Sequence, residues 1–227
     1  MTGKFFPRVH IVDDDELVRA RLSYLFSNHG YSTEIYSSGL EFFCAGNVKR
    51  GCILLDVCMP QMSGHEVQEE LARLGNTLPV VVMSAYRDIP AVVRAIRLGA
   101  FDFIEKPSSA KDLLGAIDRA LASCGKSGTR RNVMDAAAAG LNRLSRRQRQ
   151  ILQGLLDGLS NKAIAHRLGV SPRTVEMHRA KLNRELGFAS LSEAIQFAID
   201  AGLTHDPDGG ALDAPRQRPD SVADLHA

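Results

Sequence analysis

VHIVDDDE, residues 9–16, decides the fold, because a short apolar run meets four consecutive acidic residues. Val9–Val12 reads as a strand that Asp13, Asp14, Asp15 and Glu16 bring to an end. Outward from there the pattern repeats. Ser32–Tyr36, Cys52–Asp56, Pro79–Met83 and Asp102–Glu105 read as further short strands, bounded by turn residues and mostly rich in Val, Ile, Leu or aromatics. Between and after them, residues recur at three- and four-residue spacing, as one buried helix face requires. Leu17, Ala20, Arg21, Tyr24 and Leu25 open the first such stretch, and Leu40 and Phe43 mark the second. Val67, Leu71 and Leu74 mark the third, Val92, Val93, Ile96 and Ala100 the fourth, and Leu113, Leu114, Ile117 and Leu121 the fifth. Five strand–helix units predict an α/β domain, a doubly wound five-stranded parallel sheet wrapped by helices. In such sheets the ligand crevice lies at the carboxyl ends of the strands, where the winding direction switches.

Chemistry-bearing residues gather at that edge. Asp13–Glu16 follow the first strand, Asp56 ends the third, Ser84 follows the fourth and Lys106 the fifth. Clustered carboxylates repel, and one must take a proton unless a cation compensates. A hard divalent ion on oxygen ligands answers this, with Mg²⁺ the usual choice beside a phosphoryl group. Carboxylates, a hydroxyl and an ammonium together match what phosphoryl transfer to an aspartate needs. Taken singly, Asp13–Glu16 also fit a helix N-cap, and Ser84 or Lys106 an ordinary loop.

The second half differs. Residues 1–121 hold 13 Lys/Arg against 15 Asp/Glu, net −2, whereas 142–204 hold 10 against 5, net +5. Residues 123–142 form a linker: SCGKSGTRR reads as a hinge, and NVMDAAAAGLN as a possible helical connector. Residues 143–204 are helical in pattern, and the Gly-, Pro- and Asp-rich 205–227 reads as a disordered tail. Cys44, Cys52, Cys58 and Cys124 show no metal-ligand spacing and no disulfide framework, and are expected reduced. With no apolar run of spanning length and no secretory leader pattern, a cytoplasmic location with no membrane contact is expected.

In the helical half, Ser145 caps a helix with Ile151, Leu152 and Leu155 on its apolar face, and Gly158 ends it. Ser160 caps a short helix carrying Ala163, Ile164 and Leu168, which Gly169 ends. Ser171-Pro172 then starts a longer helix, Pro172–Leu186, with Val175, Leu182 and Leu186 turned to a core. Two helices about a Gly turn form a helix-turn-helix, or simply a helical hairpin. Exposed basic residues on the second helix suit the major groove of DNA. Leu191–Leu203 reads as a last amphipathic helix.

The segments VHIVDDDE, ILLDVCMPQMSG (53–64), VVVMSA (80–85) and GAFDFIEKP (99–107) resemble, in order and spacing over residues 8–121, the receiver domain of bacterial response regulators. That resemblance implies Asp56 as phosphoacceptor and Mg²⁺ held by Asp13, Asp14, Asp56 and the backbone carbonyl of Cys58. It implies Ser84 and Lys106 on the phosphoryl oxygens, a cis bond before Pro107, Phe103 as a moving aromatic (or a plain core residue) and Gly64 in a tight loop. Ala85, being small, would leave the phosphoryl group open to water. LSRRQRQIL (144–152) and SNKAIAHRLGVSPRTVEMHRAKLNREL (160–186) resemble the LuxR-type helix-turn-helix of the NarL/FixJ class, FixJ-like in wording. That match implies phosphate contacts from Asn161, Lys162, Arg173, Thr174 and Arg184, and base-facing positions at Glu176, Met177 and Ala180 with Arg179 nearby. His178 is structural or near the backbone. The last helix would pair two such domains. Gln148 stands where the family usually has Glu, a change expected to cost a salt bridge.

The chain is thus expected to be a two-component response regulator, phosphorylated by a sensor histidine kinase. It would dimerise when phosphorylated, bind promoter DNA and regulate, most simply activate, transcription with RNA polymerase. It would not be an enzyme beyond slow self-phosphorylation and autodephosphorylation at Asp56. The alternatives are a receiver acting through protein contacts or as a phosphate sink, and a phosphatase-like enzyme.

Overall fold

The computed structural model describes residues 7–46, 48–85, 89–124 and 130–204. Strands β1 (Arg8–Val12), β2 (Ser32–Tyr36), β3 (Cys52–Asp56), β4 (Val80–Ser84) and β5 (Asp102–Glu105) form one parallel sheet in the order β2-β1-β3-β4-β5. Helices α1 (Glu16–Asn28), α2 (Gly39–Cys44), α3 (Gly64–Arg73) and α4 (Ile89–Arg97) fill the four crossovers, and α5 (Ala110–Ser123) follows β5. Every residue of β3 and β4 is buried, which explains their near-continuous apolar sequence: a parallel strand is covered on both faces. On one face Val9, Ile11, Leu54, Val81 and Met83 pack against Leu22 and Phe26 of α1 and Ile117 and Ala120 of α5. On the other, Val12, Ile53, Leu55 and Val82 meet Phe42, Val67, Leu71, Val93 and Ile96 of α2, α3 and α4.

Two expected faces are displaced, and a third, that of α3, keeps Val67 and Leu71 buried and loses only its last residue. Leu17 and Tyr24 of α1 are 70% and 73% exposed, while Leu22 and Phe26 are buried. Both stripes satisfy helical spacing, and the one that brings the Phe26 ring under the sheet wins. In α2 the buried residue is Phe42 and Leu40 lies outside; at the end of α3, Leu74 is also exposed. The fourth strand starts one residue later than Pro79, whose missing N–H suits a strand entrance.

Beyond α5 come α6 (Arg130–Arg143), α7 (Arg146–Leu156), α8 (Asn161–Leu168), α9 (Pro172–Leu186) and α10 (Leu191–Asp200). Much of the expected linker is therefore helical, while residues 125–129 and the expected tail from 205 on lie outside the described residues. Ser145, Ser160, Ser171 and Ser190 cap α7 to α10, each accepting a backbone N–H three residues on. Gly169 and Gly187 end α8 and α9 in the left-handed region. The last helix stops at Asp200, three residues short of expectation.

The two halves share a core. Leu152, Leu156, Ala194, Ile195 and Ala198 are continuous with the α4 side of the sheet. Pro90 of α4 lies against Gly158, close enough that a Cβ there would meet its Cγ at 3.3 Å.

Candidate phosphoacceptor pocket and nucleic-acid interface

β1 and β3 are neighbours whose connections leave in opposite directions, so the crevice opens above them. There the structure gathers the expected residues. Asp13 is fully buried, Asp56 is 4% exposed and Ser84 1%. The Lys106 ammonium lies 2.7 Å from Asp13 Oδ2 and 2.5 Å from Asp56 Oδ1, joining segments that are 93 and 50 residues away in sequence. Its backbone N–H donates to the Ser84 carbonyl (2.8 Å), and the Lys106–Pro107 bond is cis, as expected.

The remaining carboxylate oxygens are held by the backbone. Asp13 Oδ1 accepts the Asp15 N–H at 3.0 Å, and Asp56 Oδ2 accepts the Cys58 N–H at 2.8 Å. Arg19 donates to the Asp13 carbonyl at 2.7 Å, an anchor the sequence pattern did not single out. The capping role belongs to Asp15, whose Oδ1 accepts from Leu17 and Val18 at the start of α1. The acidic run thus divides its work: Asp13 points into the pocket, Asp14 stands exposed, and Asp15 caps a helix. Gly64 is forced by contact. A Cβ on it would lie 2.2 Å from the Asp56 carbonyl oxygen. Ala85 is exposed at the end of β4. Phe103 is half-buried among the residues shared with the helical half.

Burial pushes the Asp56 carboxyl above its ordinary pKa, against the pull of Lys106. For Lys106, burial acts downward, but the bonds to Asp13 and Asp56 outweigh it and hold the ammonium above its usual value. Burial, then the neighbouring Asp56, raises the Cys58 thiol. Among the described residues no three His, Cys, Asp or Glu side chains converge as a ready cage for a metal ion. Two buried carboxylates share one ammonium, and Asp14 sits outside them. The donor set is nevertheless all oxygen and acidic, which is what a hard divalent cation takes.

The helical half presents a different surface. Lys162, Arg173, Glu176, Met177, Ala180 and Arg184 are exposed, Met177 by 61%, while Val175 and Leu182 hold α9 to its core. Thr174 is half-buried, its hydroxyl 2.8 Å from that of Ser171 at the cap. Asn161 and Arg179 pair with each other instead of both reaching outward: Arg179 donates to Asn161 Oδ1 at 2.6 Å, and burial lowers its pKa. His178 is half-buried. Gln148 completes a capping box with Ser145 and donates to Glu185 of α9. The amide thus makes a contact that a glutamate would turn into repulsion; sequence alone did not reveal it, because Glu185 lies 37 residues on.

A further polar cluster went unread. Asp102, 3% exposed, pairs with Arg119 at 2.6 Å, and Ser190 lies 3.3 Å from its other oxygen. Ser192 Oγ accepts the Phe103 N–H at 3.1 Å. The bonds of Ser190 and Ser192 cross between the halves, and an aspartate in a strand is their one trace in the sequence.

Comparison with known proteins agrees with both halves. The response regulator receiver domain family matches residues 9–118, and the bacterial regulatory proteins of the luxR family match 142–198. The transcriptional regulatory protein FixJ of Azorhizobium caulinodans is 39% identical over 196 residues, covering 86% of this chain and 93% of that protein. The crystal structure of full-length FixJ from B. japonicum is 33% identical, covers 88% of this chain and 98% of that one, and superposes with a TM-score of 0.51. The structure of FixJ-N, 36% identical and covering 52% of this chain and 96% of its own, reaches 0.50.

Proposed function

The chain belongs to the response regulators that join a receiver domain to a luxR-type DNA-binding domain, and from that premise we propose a phosphorylation-gated transcription factor with Asp56 as its acceptor. The supporting observation is the Lys106 ammonium set between the buried carboxylates of Asp13 and Asp56. A sensor histidine kinase is the donor. One Asp56 oxygen attacks the phosphorus of the phosphohistidine, the P–N bond breaks, and the imidazole leaves with its electron pair. Asp13, Asp14, Asp56 and the Cys58 carbonyl would hold Mg²⁺, which when bound supplies positive charge for the phosphoryl oxygens. Lys106 and the Ser84 hydroxyl neutralise and orient those oxygens. The exposed, small Ala85 leaves room for water, so the acyl phosphate hydrolyses slowly on the protein itself. This is the extent of its enzymatic activity.

The acyl phosphate carries about two negative charges where the bare carboxylate carried one, on three outward oxygens that draw Lys106 and Ser84 toward them. Ser84 ends β4 and Lys106 follows β5, the strand that carries Phe103, and the backbone of Phe103 is bonded to α10. Phosphorylation at one end of β5 therefore loosens the joint, frees α10, and favours a dimer that holds promoter DNA and recruits RNA polymerase. The direct test treats the full chain with acetyl phosphate and Mg²⁺ and reads intact mass. One phosphate is expected on the natural chain and none on Asp56→Asn; phosphate on the variant refutes the acceptor.

A further inference from the structure

We propose that the receiver, while docked, restrains α10 and leaves the DNA-reading face of α9 open. The docked chain then takes up a DNA duplex without undocking. The inference rests on the proposed role of α9 and adds what the joint does and does not mask.

The two helices have opposite fates in one conformer. None of the ten residues of α10 is exposed. It packs on α7 within its own domain and is covered by α4, α6 and β5. Polar groups fasten it. Ser192 accepts the Phe103 N–H, Ser190 reaches Asp102, and Arg119 spans from Asp102 to Glu193, the latter at 3.6 Å. On α9, by contrast, Arg173, Glu176, Met177, Ala180, Lys181 and Arg184 are all exposed, as is Lys162 beside them on α8.

Besides α10, the receiver reaches the helical half at the far end of α7. Arg97 donates to the Leu156 carbonyl at 3.4 Å, and Pro90 lies against Gly158. Ile89 of α4 also packs on the buried cluster that includes Ile164 and Val175, the inward sides of α8 and α9, while the outer side chains of both helices stay exposed. Attraction to a duplex needs solvent-facing cations that can replace counterions on the phosphates, and those cations are on the open face. What the joint withholds is α10, so an event that needs its outer surface, such as contact with a second copy of this chain, must wait for release.

The experiment compares the unphosphorylated full chain with Ser192→Lys, which places a long cation where Ser192 is 2% exposed against the backbone of β5. Ser192→Ala serves as the fold control. The probe is a mixed-sequence duplex of about 14 base pairs at low salt, long enough for one domain. Affinities equal within about three-fold are expected. Hydrogen exchange on the natural chain gives a second reading that needs no variant. Saturating duplex should leave the exchange of α10 amides and of the Phe103 N–H unchanged. Binding tighter by about ten-fold in Ser192→Lys, or faster α10 exchange when DNA binds, overturns the inference while leaving α9 a DNA-binding helix. Failure of both proteins to bind the duplex removes the reading of α9 as well.

Discussion

The pocket above β1 and β3 and the exposed face of α9 use the same side-chain types under opposite conditions. In the pocket, Asp13 and Asp56 are stripped of water and depend on one ammonium and a few backbone N–H groups. On α9, Arg173, Lys181 and Arg184 keep their hydration, and their field is spread and screened by salt. Buried charge therefore fixes a single geometry and reacts strongly to a small change. Exposed charge tolerates substitution and acts by summation.

The hardest blow to that contrast is Gly64→Ala. Its Cβ would stand 2.2 Å from the Asp56 carbonyl oxygen, so the β3 end must shift. A destabilisation of about 3 kcal/mol is expected, with phosphorylation slowed well beyond what stability explains. Urea melts and the mass assay check it, and a variant with unchanged phosphorylation would mean the loop is not what shapes the pocket.

Asp56→Asn sharpens the contrast through pH. Because burial raises the folded pKa of Asp56, ionising it costs stability, and that cost grows as pH rises from the unfolded value through the folded one. In a chelating buffer at pH 7 the variant should melt a few degrees higher than the natural chain. The gain should fade as acid protonates Asp56, whose neutral form carries no such cost. A gain independent of pH would assign the effect to something other than the buried charge.

Gln148→Glu tests a buried polar contact in the helical half. It exchanges a donor for a like charge beside Glu185, with an expected cost of about 1 kcal/mol. An equally stable variant would show that the amide is not needed. The smallest effect is expected at Lys162→Ala. Losing one exposed cation should weaken duplex binding a few-fold and shallow its log–log salt dependence by about one unit. An unaltered slope would take Lys162 off the phosphate backbone.

Most of the receiver was legible because its strands are short, apolar and spaced by helices, and because a parallel sheet sends all strand ends to one edge. That is why pattern and strand order alone bring Asp13, Asp56, Ser84 and Lys106 to one edge. The α1 face was misread because periodicity shows stripes without saying which one meets the sheet, and the exposed Leu17 and Tyr24 fit a stripe as well as Phe26 does. Asp102, Arg119, Ser190 and Ser192 were silent for another reason: each is an ordinary surface residue until two domains close over it.

By itself the sequence determined the two folds, the capped helices and the chemistry of the crevice, since local pattern and strand order suffice for those. Only the tertiary structure decided that Lys106 bridges two carboxylates, that Gln148 serves Glu185, and that α10 is covered while α9 is open. These depend on distances between segments far apart in the chain, and no local periodicity encodes such a distance.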